Sequence, residues 1–406
     1  MFPPEPEKPW WYHLIWALPC MTATGMLGYW LKSPATLEIE KVVKVPQIVY
    51  RTNTVNVPTT TTPPVKAGSQ ISGLQSTNNF TATRGVPVRT NRTAAAAIGL
   101  TELDGAHRDA PGFNIASGDF TPRPPQTDFE IQVALDRAGY SPGSIDGFTG
   151  PQTQAALIAF QHNNGLKVTG IADMPTKQKL RLQQAALVTR TITESELAQV
   201  KPLGNSWTEK SQQESMAFES VLEMLAEQHH CSPRYLMRIN PTIVWSSVRA
   251  NTPVKVPNTA MPGPAIRAAL IHIQLAQRLL DVYDADNKLV ARFPCSIATK
   301  ADKRPVGDLT ITAIAEQANY TFNPANFPTS PEARAASGKL TIPPGPNNPV
   351  GTTWLSLSKD SYGIHGTPDP EKVGRTTSLG CFRLANWNAQ KLAGMVEVGT
   401  PVRVDP

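Results

Sequence analysis

A chain of 406 residues with 40% hydrophobic side chains holds material for two or three domains, each with a core of its own. Its 38 basic and 32 acidic side chains leave a formal charge of +6 with no run of Lys or Arg, so a nucleic-acid groove is excluded. Four cysteines, Cys20, Cys231, Cys295 and Cys381, lie far apart without a C-x-x-C, which excludes a zinc ribbon or a thioredoxin-like dithiol. For Cys231 and Cys295, burial as small hydrophobes is the better reading than a disulfide.

After a nine-residue tail, Trp10 to Leu31 form 22 residues free of Asp, Glu, Lys and Arg. As a helix this stretch would measure about 33 Å, the thickness of a bilayer's hydrocarbon core. Trp10, Trp11 and Tyr12 at one end and Tyr29 and Trp30 at the other suit the headgroup level. The segment therefore predicts a membrane anchor, with a cleaved signal peptide and a lipidated Cys20 as alternatives. Lys32, Lys41 and Lys44 follow the span and only Lys8 precedes it, a bias that would by itself keep the rest of the chain in the cytoplasm.

Residues 32 to 127 are rich in Pro, Thr, Asn and Gly and read as a disordered tether, on the order of 50 to 60 Å between its ends. Residues 128 to 183 change character. Ile131, Leu135 and Ala138 recur at helical spacing up to Gly139, a second run starts at Gly150-Pro151 and ends before Gly165, and a third helix is predicted from Asp173. A connector over 184 to 213 leads to residues 214 to 260. There Val221, Leu222 and Leu225 form one helical stripe, Ser232-Pro233 starts a second helix that Asn240-Pro241 stops, and "TPVKVP" reads as a strand. His229 and His230 beside Cys231 are most simply partly exposed residues at a helix end. From 265 to 406 the pattern turns to strands. Ile271, Ile273 and Leu275 alternate with polar residues, turns fall at Asp284 to Lys288 and in "IPPGPNNPVG", and one helix is expected in "NWNAQKLAGMV".

Within this last domain, His365 and Cys381 stand sixteen positions apart in "YGIHGTPDPEKVGRTTSLGCFRLANWN". A cysteine nucleophile needs an imidazole in reach, a group that holds the imidazole, and N–H donors for an oxyanion. No other histidine occurs in the ninety residues before Cys381, and Gly366 and Gly380 flank the pair. A thiolate paired with His365 would be alkylated below the pH that titrates an ordinary cysteine. No H-E-x-x-H or three-ligand cluster points to a metal, and no cofactor is expected.

Three resemblances extend these readings. The series Gln132, Leu135, Gly139, Asp146-Gly147, Gly150, Phe160-Gln161, Gly165 and Gly170 resembles the three-helix peptidoglycan-binding domain of cell-wall enzymes. Residues 214 to 260 resemble a degenerate LysM module, a small α/β unit. Ile364-His365-Gly366-Thr367 with Ser378-x-Gly380-Cys381-x-Arg383 closely resembles the catalytic motif of the YkuD-like L,D-transpeptidases.

The last resemblance implies a multidomain chain ending in a mainly β catalytic domain, a YkuD-like β-sandwich. By it Cys381 is the nucleophile, His365 its base, the Gly366 carbonyl the group that orients the imidazole, and the amides of Gly380 and Cys381 the oxyanion hole. Arg383 places substrate or supports local structure, and Ser378 donates a hydrogen bond near substrate or stabilises the turn. Leu379 stands where many members carry a second histidine. Asn388 stands where an aspartate often follows, and it would preserve a helix-capping role.

The implied function is a peptidoglycan L,D-transpeptidase forming 3→3 cross-links between tetrapeptide stems through a cysteine thioester. Alternatives on the same site are an L,D-carboxypeptidase or transfer to the lysine of an envelope lipoprotein; the alternative of another class is a non-catalytic wall-binding scaffold. Since peptidoglycan lies outside the inner membrane, the expected location is the envelope, anchored in the inner membrane with the catalytic part in the periplasm.

Overall fold

The computed structural model describes residues 120–259, 266–336, 338–378 and 380–406. The expected anchor, Cys20, most of the tether and Leu379 lie outside the described residues, among which no helix is long and apolar enough to cross a membrane.

The three helices expected after the tether are α1 (Asp128–Arg137), α2 (Pro151–Asn163) and α3 (Met174–Lys179). Thr127 and Asp173 cap α1 and α3 with their side chains, and Pro151 opens α2 at the position where its missing N–H is not needed. Two buried glutamines explain the placed glycines between the helices. Gln132 accepts from Gly147 N at 2.8 Å and donates to Asp146 Oδ1 at 2.9 Å; Gln161 accepts from Gly170 N at 2.8 Å and donates to Thr169 Oγ1 at 3.1 Å. Each amide thus satisfies a loop's backbone inside the core, and Gly147 and Gly170 turn there at φ +79° and +68°.

Next come β1 (Leu187–Thr191), α4 (Glu194–Leu197), α5 (Trp207–Gln212), α6 (Val221–Gln228), α7 (Pro233–Ile239) and β2 (Pro253–Pro257). β1 and β2 pair antiparallel, from Leu187 opposite Pro257 to Thr191 opposite Pro253. The partner of β2 therefore lies in the stretch read as connector, because a five-residue strand shows no pattern of its own until its partner is known. Asn240, the expected helix stop, clamps β2: it donates to Lys255 O at 2.8 Å and accepts from Lys255 N at 2.8 Å. His229 is buried rather than partly exposed, with Nδ1 2.9 Å from Pro257 O. Its neighbour His230 pairs with Asp136 at 2.9 Å and stacks on Trp387. Leu135, Leu157, Val188, Leu225, Leu236 and Val256 belong to one buried cluster, so the three-helix and strand-helix segments share a core.

The remainder consists of β3 (Leu270–Gln274), β4 (Leu279–Tyr283), β5 (Leu289–Pro294), β6 (Gly307–Glu316), β7 (Tyr320–Phe322), α8 (Pro331–Ala335), β8 (Leu340–Ile342), β9 (Thr353–Leu357), β10 (Gly363–His365), β11 (Phe382–Arg383), α9 (Asn386–Met395) and β12 (Pro401–Asp405). Eight strands join in the order β11-β10-β9-β6-β12-β3-β4-β5. The expected β-sandwich is thus one continuous order hinged on β6. Its first residues, Gly307 to Thr310, pair with β12; after a register shift between Ile311 and Ala313, its last residues pair with β9. Ile271, Val282 and Phe293 of one half share a buried cluster with Leu355, Ile364 and Phe382 of the other.

The edge strand β5 does not face solvent along its ladder. Ser141 N donates to Arg292 O at 2.9 Å and Arg292 N donates to Gly139 O at 3.1 Å, so the loop after α1 covers that edge. A Cβ at Gly139 would lie 2.7 Å from Val290 O, which makes this close approach dependent on glycine. Between β6 and β9, the β7–β8 hairpin and α8 pack on α5, with Trp207 stacked on Phe322 at 4.2 Å between centroids.

Candidate active site

β10 and β11 run parallel with Ile364 opposite Phe382 and His365 opposite Arg383. Side chains alternate across a strand, so Ile364 and Phe382 enter the core on one face, while His365, Arg383 and Cys381, two residues before Arg383, share the other. Trp354 of β9 joins the two halves of the pair. Its ring stacks on His365 at 5.3 Å, and it packs with Cys381, Ala318 and Val350 in a small buried cluster.

The imidazole contacts the carbonyl of its neighbour Gly366. His365 Nδ1 lies 2.6 Å from the Gly366 carbonyl, which can only accept, so Nδ1 carries the proton and Nε2 is left as the basic nitrogen. Burial pushes the imidazole down to about 4, with the Arg383 charge adding to the effect. Burial also pushes the Cys381 thiol up to about 11, against which the Gly363 backbone and Arg383 work only in part. The thiol donates to Ser361 O at 3.7 Å, and no hydrogen bond joins it to His365. An apolar pocket thus favours the uncharged forms of both groups over a resting thiolate. Iodoacetamide labelling of Cys381, followed by peptide mapping, should accordingly be slower at pH 7 than that of an ordinary cysteine and accelerate towards pH 11; fast labelling at pH 7 that His365→Ala removes would contradict this arrangement.

The turn carrying the thiol is tied by Ser378. Its hydroxyl donates to Cys381 O at 2.6 Å and accepts from Gly380 N at 3.3 Å. Of the two roles weighed for Ser378, the turn-stabilising one is the role seen, and the Gly380 amide, expected in the oxyanion hole, points at that hydroxyl instead. From outside, Ser378 N donates to Ile297 O and Thr299 N to Ser378 O, so the segment after β5 braces the turn. Arg383 donates to Thr377 O and lines a cleft of about 300 Å³ together with Thr367 and Asp369.

Asn388 does not cap α9. The N-cap is Ala385, without a side-chain bond, and Asn388 sits one turn in, donating to Ser141 Oγ at 3.0 Å across to the three-helix domain. Its neighbour Asn386, unmarked by sequence reasoning, is fully buried behind the imidazole. Asn386 Oδ1 accepts from Thr352 N at 3.3 Å, and its Nδ2 donates to Pro346 O at 3.1 Å and to Glu227 Oε1 of α6 at 3.0 Å. A Cβ on Gly366 would fall 2.1 Å from Asn386 Oδ1. Glu227 could not have been found from the chain, since its contact with Asn386 spans 159 positions. Among the described residues no group of three His, Cys, Asp or Glu could hold a metal.

The family model for the L,D-transpeptidase catalytic domain, YkuD, matches residues 268–404, and that described as "Putative peptidoglycan binding domain" matches residues 129–180. The chain is 28% identical over 186 residues to "Putative L,D-transpeptidase YkuD" of Bacillus licheniformis, covering 46% of this chain and 94% of that protein. It is 35% identical over 127 residues to "Putative L,D-transpeptidase in ATP synthase subunits region ORF 5" of Fuscovulum blasticum, covering 31% and 64%. Among solved structures, an L,D-transpeptidase (residues 123-326) from Xylanimonas cellulosilytica aligns at 16% identity and a TM-score of 0.29, over 71% of this chain and all of that one. Residues 268–404 are thus similar to the YkuD L,D-transpeptidase catalytic domain, and residues 129–180 to the peptidoglycan-binding domain.

Proposed function

We propose that the chain is a peptidoglycan L,D-transpeptidase that forms 3→3 cross-links through a thioester on Cys381. The observation that carries this reading is the Gly366 carbonyl on His365 Nδ1, which leaves Nε2 unprotonated on the sheet face that bears the thiol. In the acylation step Nε2 takes the thiol proton as Sγ attacks the carbonyl of the third stem residue. Because thiol and imidazole both rest neutral, the charge pair forms only as the new S–C bond does, inside a pocket whose low dielectric strengthens it. The oxyanion meets the Cys381 amide and, once it turns from Ser378 Oγ, the Gly380 amide. Collapse breaks the C–N bond, and the imidazolium returns its proton to the departing D-Ala amine. In the second step the amine of another stem's third residue attacks the thioester, its proton passes to Nε2, and the thiol is restored.

The domain at 129–180 supports peptidoglycan as the partner. The helix pair α6 and α7 followed by β2, with β2 paired to β1, is what supports a LysM-like unit over 214 to 260. For such a substrate the chain from residue 33 onward must lie outside the inner membrane, held by residues 10 to 31. A reporter fused to the carboxyl end should then behave as exported.

The enzymatic test uses the purified full chain with disaccharide-tetrapeptides, following D-Ala release, the mass of the Cys381 peptide and dimer formation. An acyl adduct on Cys381 with 3→3 dimers supports the reading, whereas release without dimers identifies a carboxypeptidase. Modification of a lipoprotein's lysine would identify that transferase, and no adduct or release at all leaves only a wall-binding scaffold.

A further inference from the structure

The cleft lined by Arg383 has a wall that the catalytic family domain does not supply. Trp207 and Lys210 of α5, which precede residue 268, face Arg383, Thr367, Asp369 and Asn347 across about 300 Å³. Trp207 is fixed there by its stack on Phe322. The Lys210 ammonium lies 5.4 Å from the centre of the Trp207 ring and forms no ion pair among the described residues. Arg383 is likewise without a carboxylate partner at ion-pair distance among the described residues, while the Asp369 carboxylate is already bridged by Lys372 at 3.0 Å. Two cations without an ion-pair partner among the described residues therefore border the cleft, and one of them, Arg383, pairs with His365 across β10 and β11 and lies two residues from Cys381. In a partly enclosed site this arrangement calls for an anion, and the guanidinium and ammonium are both suited to a carboxylate.

The reaction proposed above, on which this inference rests, says which carboxylate. The group expelled in the first step and the group admitted in the second have the same chemistry at their reacting ends: each is an amine nitrogen on a carbon that bears a carboxylate. The leaving D-Ala and the arriving D-centre of a stem's third residue can therefore use one position. We infer that Lys210 and Trp207, with Arg383, form the α-amino-carboxylate subsite that holds the leaving group during acylation and the acceptor during transfer. The ammonium of Lys210 fixes the carboxylate, and the Trp207 ring beneath it walls the cleft beside the carbon chain. With the carboxylate held, the amine is aimed at the thioester carbon. The amide C–N bond forms as the S–C bond breaks, and the amine proton leaves through Nε2 to Sγ. A neutral amine, or water, gains nothing from the cation, so the subsite favours carboxylate-bearing acceptors.

The experiment loads the full-length protein with a tetrapeptide donor and offers D-alanine and D-alaninamide as competing acceptors, reading both products by mass. Wild type should prefer D-alanine, Lys210→Glu should lower that preference about tenfold, and Lys210→Arg should keep most of it. The ratio of products is insensitive to the amount of active protein, so partial misfolding cannot mimic the effect. Wild-type protein that acylates Cys381 but does not discriminate the two acceptors, or a Lys210→Glu ratio equal to wild type, overturns the subsite. Failure of wild type to acylate at all would instead overturn the proposed function.

Discussion

Alanine at position 381 is expected to abolish both D-Ala release and the acyl adduct, and removal of the imidazole at 365 to slow acylation about 10²- to 10⁴-fold at neutral pH. The two losses differ in their pH dependence. In wild type the base must be neutral, and burial places its titration near 4, so the acid limb of kcat/KM should fall close to pH 4 instead of near the ordinary histidine range. In His365→Ala no base takes the thiol proton, so the residual rate should climb with pH towards the thiol's own titration near 11. Steady-state release of D-Ala from pH 4 to 10 distinguishes the two profiles. An acid limb near 6.5 in wild type, or a pH-independent His365→Ala, would contradict the neutral resting pair. The alanine variant at 381 should remain folded, since the thiol is packed against Ala318, Val350 and Trp354 by contacts that a small cavity weakens by only about 1 kcal/mol.

The second large effect lies one residue from the base. Gly366→Ala should lower kcat/KM about 100-fold and cost about 1–3 kcal/mol in stability. Its Cβ would meet Asn386 Oδ1 at 2.1 Å and Gly351 Cα at 3.3 Å. Asn386 cannot swing aside, because Thr352 N, Pro346 O and Glu227 Oε1 use its amide in a fully buried position. The backbone at 366 must move instead, and with it the carbonyl that holds Nδ1. Combining Gly366→Ala with Asn386→Ala should recover part of the stability, a non-additivity readable by chemical denaturation. Wild-type kcat/KM in Gly366→Ala would refute this account of how the base is held.

Glu227 gives the same network a pH signature. Burial pushes its carboxyl up to about 8, against the lowering hydrogen bond from Asn386, so it stays protonated where the unfolded chain's carboxylate has ionised. With the folded value raised, the native state binds the extra proton between about pH 4.5 and 8. The stability due to this group is fully present below pH 4.5 and is lost as pH rises through 8, on the order of a few kcal/mol. His365 has the opposite sign: its depressed value gives stability that is present above about 6.5 and lost as pH falls towards 4. Glu227→Gln should therefore remove the decline between pH 6.5 and 8 while keeping the acceptor for Asn386. Denaturation midpoints of wild type and variant at pH 6.5 and 8.5 decide this, and parallel curves would count against the buried neutral carboxyl.

Much of this protein can be read along the chain. The helices at 128–137, 151–163 and 386–395 follow from apolar spacing and Pro or Gly punctuation, and His365, Gly366 and Cys381 are singled out by what the proposed cysteine acyl transfer would need. These are local signals: a helix period or a turn residue acts within a few positions. Asn388 shows where such reasoning stops. As an isolated residue it suits a helix cap, yet in the fold it spends its amide on Ser141 of another domain. β1 was invisible for a related reason, since its partner strand lies some sixty residues on. The thiol's protonation state also escaped the sequence. A His and a Cys in one motif suggest an ion pair, but whether the charged forms exist depends on desolvation by Trp354, Ala318 and Val350, which arrive from distant strands and loops.

The proposed chemistry is legible along the chain, because His365, Cys381 and their flanking glycines are close in sequence. The Nδ1 contact of His365, the apolar surroundings of the pair, the Glu227–Asn386 contact and the facing of Lys210 towards Arg383 appear with the fold. Each of these depends on distance and burial between segments far apart in the chain, and those quantities exist only once the chain has folded.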